Sequence, residues 1–383
     1  MKIGLLGHGV VGSGVTAITD SCARKKVRRL EVTRILVKDE SELTDPRCTL
    51  NVEEILQDPE IELVAECMGG LEPAHTMVSR ALEAGKHVVT SNKKMFANYC
   101  EELFGLAQEN GVTIRYEASV GGGIPWMSNL TRIKRLESVL SFRGILNGTT
   151  NYILTRMEET GRDFEECLAE AQKLGYAEKN PTDDIEGYDV MYKAAITAMK
   201  AFNATPALDA IPMYGIANVS SVDLAWAAEK NCSLKLLACG SDDGKSISLW
   251  VMPVFLKKED ILANVSGNFN AIECNSETLG KASFIGQGAG SLPTAHAVVQ
   301  DMLDVYVGQD TALGEMESRT ICNDNIHAQF YIRTENREFF RPVTREVLLS
   351  GAIITEVMPL SEIDRMIKES EDAALFAAMV YAE

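Results

Sequence analysis

The chain opens on a short apolar run, Lys2 to Leu6, and from Val10 to Ile18 its apolar positions fall at helical spacing, which predicts strand, turn, helix. The alternation continues. Glu31 to Val37 predicts a second strand, Val52 to Leu56 a short helix, and Leu63 to Met68 a buried strand closed by Gly69-Gly70. Pro73 to Ala84 predicts a helix stopped by Gly85, His87 to Thr90 a fourth strand, Tyr99 to Asn110 a helix, and Val112 to Glu117 a fifth strand. Strands alternating with helices in this way imply a parallel, doubly wound α/β sheet of Rossmann type.

From about Gly121 the period changes. A glycine run and Pro125 lead into a helix, and Val139 to Leu146 predicts a strand of a different sheet. Helices at Phe164 to Leu174, Asp189 to Phe202 and Ser221 to Glu229, with strands around Ile247 to Phe255, suggest an α+β layer. Thr294 to Tyr306 predicts a helix whose apolar face packs back on the first domain. Beyond it, Gln329 to Arg333 and Ile353 to Val357 predict strands flanking a helix from Val343 to Leu349, followed by a charged helix at 362 to 372. The expected division is a nucleotide-binding domain at 1–130 completed by a return helix at about 290–310, a catalytic and dimerisation domain at 131–290, and a small C-terminal region at 311–383.

Composition narrows the partners. With 37 basic and 55 acidic residues in 383, the formal charge is -18, and such a surface repels phosphate backbones and anionic lipid. Neither nucleic acid nor a membrane is expected as a partner. The uncharged stretch from Ala282 to Gln300 is long enough to span a bilayer but is broken by glycines, Pro293 and His296. The N-terminus runs straight into a glycine turn without the apolar region of a secretion signal. The nine cysteines are scattered singly with no CxxC pair, and the five histidines form no HExxH, so reduced thiols in a cytoplasmic enzyme are expected.

Six clusters carry candidate chemistry. Gly7-His8-Gly9-Val10-Val11-Gly12 follows a strand and opens a helix, the context in which GxGxxG binds the pyrophosphate of a dinucleotide. At the end of the second strand, Lys38 suits a 2′-phosphate and Asp39 a ribose hydroxyl, so NAD and NADP both stay open. Ser91-Asn92-Lys93-Lys94 follows the fourth strand, where doubly wound folds bind ligands; read alone, it is also a solvated lysine pair. The bend from Glu117 to Ile124 reads as a domain hinge whose carbonyls also suit a hard cation. The run Asp183 to Lys193 sets Asp189 and Lys193 four apart on one helical face, ordinarily a surface ion pair, here among apolar neighbours. Upstream, Asn147-Gly148-Thr149-Thr150-Asn151 offers amides and hydroxyls for a small polar substrate or for a helix cap.

In combination and order, these motifs resemble homoserine dehydrogenase over residues 1 to about 310. The most specific are Asn-Gly-Thr-Thr-Asn-Tyr-Ile-Leu at 147–154, the Asp-Ile-Glu-Gly-Tyr-Asp run ending at Lys193, and Gly286-Gln287-Gly288-Ala289-Gly290-Ser291-Leu292-Pro293. The resemblance implies reversible reduction of L-aspartate 4-semialdehyde to L-homoserine by NADPH or NADH, on the way to threonine, methionine and isoleucine. It implies Lys193 as proton donor with Lys93 as its partner and Asp189 as the orienting carboxylate. Substrate contacts fall on Glu178, Asp184, Asp189, Lys93, Asn147 and Thr149. Cofactor contacts fall on Gly7, Gly9, Val10, Val11, Gly12, Lys38, Lys93, Gly175 and Gly290. A structural sodium or potassium ion falls on Glu117, Val120, Gly122 and Ile124, which moves the reading of that bend from hinge to ion site. A homodimer or homotetramer is implied as well.

Two features depart from the family pattern. Lys38 stands where many relatives carry arginine, and the tail resembles the family's ACT module in a degenerate form, without a clear Asp-x-x-Gly turn before its helix. With no kinase segment ahead of the dehydrogenase, the chain reads as monofunctional. Two other functions fit the same residues: an oxidoreductase acting on another amino-acid semialdehyde, and a nucleotide-sensing regulator that binds a coenzyme without turnover.

Overall fold

The computed structural model describes residues 1–309 and 319–380 and divides into two compact units. The first is Met1–Arg132 with the stretch that starts at Gln287; the second is Ile133–Gly286 with the stretch 319–380. The expected C-terminal region at 311–383 therefore lies partly outside the described residues.

In the first unit the chain runs β1 (Lys2–Leu6), α1 (Val10–Ser21), β2 (Glu31–Leu36), β3 (Cys48–Thr49), α2 (Glu53–Leu56), β4 (Ile61–Glu66), α3 (Ala74–Glu83), β5 (His87–Thr90), α4 (Lys93–Glu109) and β6 (Ile114–Arg115). These strands form one six-stranded sheet in the order β3-β2-β1-β4-β5-β6, every neighbouring pair parallel. The order reverses beside β1, so the carboxyl ends of β1 and β4 form the switch point at which such sheets bind ligands. β3 has two residues, too few to leave a periodic signal, and the expected fifth strand shrinks to Ile114–Arg115 before a single turn at Glu117–Ser119.

α5 (Trp126–Lys134) leads to the second unit: β7 (Val139–Ile145), α6 (Gly148–Thr160), α7 (Phe164–Lys173), α8 (Thr182–Ile185), α9 (Tyr188–Phe202), α10 (Ser221–Glu229), β8 (Cys232–Asp242), β9 (Ile247–Lys257), β10 (Phe269–Ser276) and β11 (Gly280–Gln287). α11 (Ser291–Tyr306) then rejoins the first unit, where Ala295, Val298 and Met302 share a core with Ile3, Leu5, Val15, Leu63 and Val89. Its approach to α1 needs Gly14, where a Cβ would stand 2.8 Å from that of Ala295.

The last stretch adds β12 (His327–Arg333), α12 (Arg337–Phe340), β13 (Thr344–Val347), β14 (Ile353–Thr355), β15 (Met358–Pro359), α13 (Leu360–Glu369) and β16 (Phe376–Val380). The helix expected at Val343 to Leu349 is corrected: that span holds the edge strand β13, paired antiparallel with β14, and the helix lies earlier at Arg337–Phe340. Val347 and Leu349 are exposed. Nor is the stretch 319–380 a separate body. β16 runs parallel to β9, which joins the tail to one ten-stranded sheet, and Phe330, Ile332, Ile363 and Met379 share a core with Ile145, Leu237, Met252 and Val254. Within it, β16-β12-β14-β13 is the strand order of a βαββαβ unit of the ferredoxin-like kind, all pairs antiparallel.

Candidate active site

The turn between β1 and α1 is shaped by missing side chains. Gly7 has φ 92°, and a Cβ there would lie 3.0 Å from the Cys67 carbonyl oxygen and from Met68 Cγ. A Cβ on Gly12 would lie 2.1 Å from the Gly7 carbonyl oxygen, so helix and turn touch only because it is absent. Gly9 differs: a Cβ there meets nothing within 4 Å, so its smallness serves something other than the protein's own packing. No side chain caps α1 at Gly9, no acid lies in its first turn, and Val10 is 70% exposed. The first amides and the positive end of the helix dipole are thereby left for solvent or an anion, which fits a dinucleotide phosphate.

At the end of β2, Asp39 caps a short turn, its Oδ1 accepting from the Ser41 amide at 3.0 Å and from the Ser41 hydroxyl. Those bonds hold its carboxyl below the usual carboxylate range. Lys38 beside it is exposed, with its backbone N–H donating to Glu42 Oε2 at 3.3 Å. Lys93 is the first residue of α4, half-buried, after the cap residue Asn92, whose Oδ1 accepts from the Met95 amide at 3.1 Å. Gly290, with φ 124°, is the cap residue of α11.

The bend after Glu117 places Gly121 and Gly122 in the left-handed region, with φ 82° and 54°. The Glu117 carboxylate accepts from the Met127 and Ser128 amides at 3.0 and 2.8 Å, capping α5, and burial pushes its pKa above the ordinary value. With its carboxylate so engaged, what Glu117 offers a cation is its backbone carbonyl, which accepts from the Val120 amide at 3.4 Å; the Ile124 carbonyl accepts from the Trp126 amide at 2.8 Å. A carbonyl oxygen has two lone pairs, so both can also face an alkali ion. Among the described residues, no three His, Cys, Asp or Glu side chains cluster to hold a metal.

The second unit builds its cluster from charge. Gly187, with φ 94°, starts α9, so Asp189 falls in the first turn, favoured by the helix dipole, and Lys193 lies one turn on. Lys193 Nζ donates to Asp189 Oδ2 at 2.6 Å and to the Leu146 carbonyl at 2.6 Å. With Lys193 7% and Asp189 5% exposed, this is not the solvated pair that i,i+4 spacing usually means. Asn147 completes the cluster through its own capping bond. Its Oδ1 accepts from the Thr150 amide at 2.8 Å, which turns Nδ2 away to donate to Asp184 Oδ1 at 2.6 Å and Asp189 Oδ2 at 2.8 Å. The arrangement keeps an ammonium beside a carboxylate away from bulk water, able to release a proton to a developing negative oxygen and to take it back.

Asn147, Asp184, Asp189 and Lys193 thus form one connected network. Thr149 turns elsewhere, its hydroxyl donating to the Tyr176 carbonyl at 2.6 Å, which ties α6 to the left-handed turn at Gly175. Glu178 is exposed, and its backbone carbonyl accepts from Gln172 Nε2 at 3.1 Å. The glycine turn, Lys38, Lys93, the 117–124 bend and Gly290 all belong to the first unit. Sequence reasoning passed over the Leu146 carbonyl, because a backbone acceptor has no sequence signature. It also passed over Glu66, whose one signal is an acid ending an apolar strand before Gly69-Gly70.

Comparisons with known proteins agree across both units. A family model described as homoserine dehydrogenase matches residues 125–303, and one described as homoserine dehydrogenase, NAD binding domain, matches residues 7–117. A homoserine dehydrogenase of Synechocystis sp. is 40% identical over 319 residues, covering 80% of this chain and 73% of the relative. The crystal structure of a homoserine dehydrogenase from Thiobacillus denitrificans superposes with a TM-score of 0.89 at 30% identity, covering 100% of this chain and 98% of that one. A hyperthermophilic archaeal homoserine dehydrogenase solved in complex with NADPH gives a TM-score of 0.70 at 27% identity, covering 82% of this chain and 99% of that one.

Proposed function

The chain belongs to the homoserine dehydrogenase family and is an NAD(P)-dependent oxidoreductase, and from that premise we propose that Lys193 is the proton donor of its reaction. When bound, the reduced nicotinamide supplies a hydride to the aldehyde carbon of L-aspartate 4-semialdehyde. The carbonyl oxygen then becomes an alkoxide, and the Lys193 ammonium gives it a proton to yield L-homoserine; the reverse reaction returns that proton to the lysine. Asp189 orients Nζ and stabilises its charged form, and Asn147 holds Asp189 and Asp184 in register. Asp184 and Glu178 bind the substrate's ammonium, and Lys93, Asn147 and Thr149 complete the substrate contacts. The buried 2.6 Å pair of Lys193 and Asp189 carries this reading. It is tested by coenzyme reduction with purified protein and L-homoserine: a Lys193→Ala variant with wild-type turnover at saturating substrate overturns it.

On the coenzyme side the assigned contacts are Gly7, Gly9, Val10, Val11, Gly12, Lys93, Gly175 and Gly290, with Lys38 for the choice of coenzyme. NADP(H) is the preferred one, supported by an exposed Lys38 beside an Asp39 already committed to Ser41. A sodium or potassium ion on the carbonyls of Glu117, Val120, Gly122 and Ile124 is supported by the two left-handed glycines of that bend. Thermal unfolding at rising potassium or sodium concentration, against choline, tests it; no cation-specific rise in melting temperature overturns it.

The functional division follows the sequence: coenzyme binding at 1–130 with the return helix, catalysis and dimerisation at 131–290, and a small degenerate ACT-like region at 311–383, supported by the ferredoxin-like strand order among its described residues. A homodimer or homotetramer, distinguished by light scattering, rests on the family. A cytoplasmic role in threonine, methionine and isoleucine synthesis accords with nine cysteines that form no disulfide and with the absence, among the described residues, of any helix long and apolar enough to cross a membrane.

A further inference from the structure

At the carboxyl end of β4 the side chain of Glu66 is 0% exposed, and every contact it makes is accepted from a neutral donor. Oε1 accepts from the amides of Met68 at 2.7 Å and Gly69 at 3.2 Å, while Oε2 accepts from the Thr90 hydroxyl at 2.6 Å. Asn92 Nδ2 reaches Oε1 at 3.5 Å and donates to the Gly70 carbonyl at 2.8 Å, and the Ser91 amide donates to the Glu66 carbonyl at 3.2 Å. One carboxylate therefore pins two turns that share no chain continuity.

Each turn borders a part of the coenzyme site. The first, 67–70, lies against the glycine turn, since a Cβ on Gly7 would meet the Cys67 carbonyl and Met68 Cγ at 3.0 Å. It contains two successive left-handed glycines, Gly69 and Gly70 with φ 80° and 77°, and a Cβ on Gly69 would meet nothing within 4 Å. Cys67 packs on the core, but the two glycines have little conformational preference and no side chain to pack, so the bonds to Glu66 and the Asn92 bond to the Gly70 carbonyl define their shape. The second turn runs from Thr90, whose hydroxyl also accepts from the Asn92 amide at 3.0 Å, through the cap residue Asn92 to Lys93. Burying a carboxylate is costly, and burial pushes the Glu66 pKa up against the pull of those donors. A cost of that kind persists where the geometry it fixes is needed.

We propose that Glu66 is a positioning residue for the coenzyme site, holding the 67–70 turn against the glycine turn and setting the Thr90–Asn92 turn from which Lys93 projects. The proposal rests on the reading of the glycine turn and Lys93 as coenzyme contacts. Glu66→Gln keeps the shape and one acceptor oxygen but offers Thr90 an amide donor in place of the other. Thr90→Val removes the same bond from the other side.

The test measures NADPH affinity by fluorescence titration, the KM for each substrate, kcat and thermal unfolding, all on the purified full chain. Glu66→Gln is expected to unfold cooperatively while its NADPH Kd and coenzyme KM rise roughly tenfold, the effect of losing one charge-assisted hydrogen bond. The KM for L-homoserine at saturating coenzyme rises less than the coenzyme KM, because the 67–70 turn serves the coenzyme alone while Lys93 serves both ligands, a split that general destabilisation does not produce. Thr90→Val moves the same two quantities in the same direction and also loses the acceptor for the Asn92 amide, so the double variant is no worse than Thr90→Val alone. A folded Glu66→Gln with wild-type NADPH affinity overturns the proposal; if that variant does not fold, a folded Thr90→Val with wild-type affinity does so. A wild-type chain that binds NADPH but does not oxidise homoserine overturns the assignment of Lys193 instead and leaves the binding comparison intact.

Discussion

The two functional regions of this enzyme are built by opposite means. The glycine turn of the first unit works through side chains that are missing: Gly7 and Gly12 let backbone meet backbone, and Gly9 leaves an uncapped helix end open. The Lys193 cluster of the second unit works through charge kept from water, with Asn147, Asp184 and Asp189 bonded around one ammonium. A turn of the first kind fails by steric intrusion, and a cluster of the second kind fails by loss of a partner. Backbone proximity tolerates no added atom, whereas a buried charge tolerates no missing one.

The sharpest break in this comparison is Lys193→Ala. It is expected to lower kcat by about 10²- to 10⁴-fold, the range for a positioned acid, while NADPH affinity by fluorescence titration stays near wild type. It also leaves Asp189 buried without its ammonium, so a lower melting temperature is expected. Next come two glycine variants on one turn. Gly12→Ala forces a Cβ to 2.1 Å from the Gly7 carbonyl, and a loss of roughly 1–3 kcal/mol in stability is expected by denaturant unfolding, together with weakened coenzyme binding. Gly9→Ala, with open space around its Cβ, is expected to unfold like wild type yet bind coenzyme about tenfold more weakly. Equal destabilisation by the two would erase the distinction between packing and access. Lys38→Ala is a smaller perturbation, expected to lower the ratio of kcat/KM for NADP over NAD without changing turnover at saturating NAD.

The smallest effect is a pH slope in the second unit. Burial lowers the pKa of Lys235 to about 8, where its Nζ donates to Asn151 Oδ1 at 3.0 Å and to the Val265 carbonyl at 2.7 Å. Burial, then the neighbouring Lys200, lowers that of Lys134 to about 8 as well. Between that pH and the ordinary lysine value the unfolded chain binds more protons than the folded one, so these two groups make stability rise with pH from about 8 towards about 10. Half-buried cysteines such as Cys67 and Cys239, whose thiols are raised by desolvation, pull the opposite way above the ordinary thiol value. The difference in slope between wild type and Lys235→Met in urea titrations at successive pH values isolates the lysine contribution, and identical slopes contradict it.

Much of the first unit could be read along the chain because parallel strands and their crossover helices are local, periodic and separated by glycines. His87–Thr90 emerges at its expected bounds for the same reason, and in the second unit Ser221–Glu229 does so because its Ser220–Asp223 capping box is local. The tail could not be read this way. Its strands are short, β13 is exposed on an edge, and its identity depends on β14, six residues on from its last residue, and on β16 finding β9 from more than a hundred residues away. Among site residues, Asp189 and Lys193 are legible from i,i+4 spacing, but that same spacing ordinarily describes a solvated pair, and only burial distinguishes the two.

By itself, then, the sequence determined the glycine turn, the order of strands and helices around it, and the residue types gathered near 147, 189 and 193, because each rests on neighbours within a few turns of chain. Tertiary structure decided which charges lose their water, which carbonyl receives Lys193, that Thr149 turns to Tyr176, and that Glu66 joins two turns across β4 and β5. Those outcomes depend on segments far apart in sequence and close in space, and on the low dielectric that only a closed core creates.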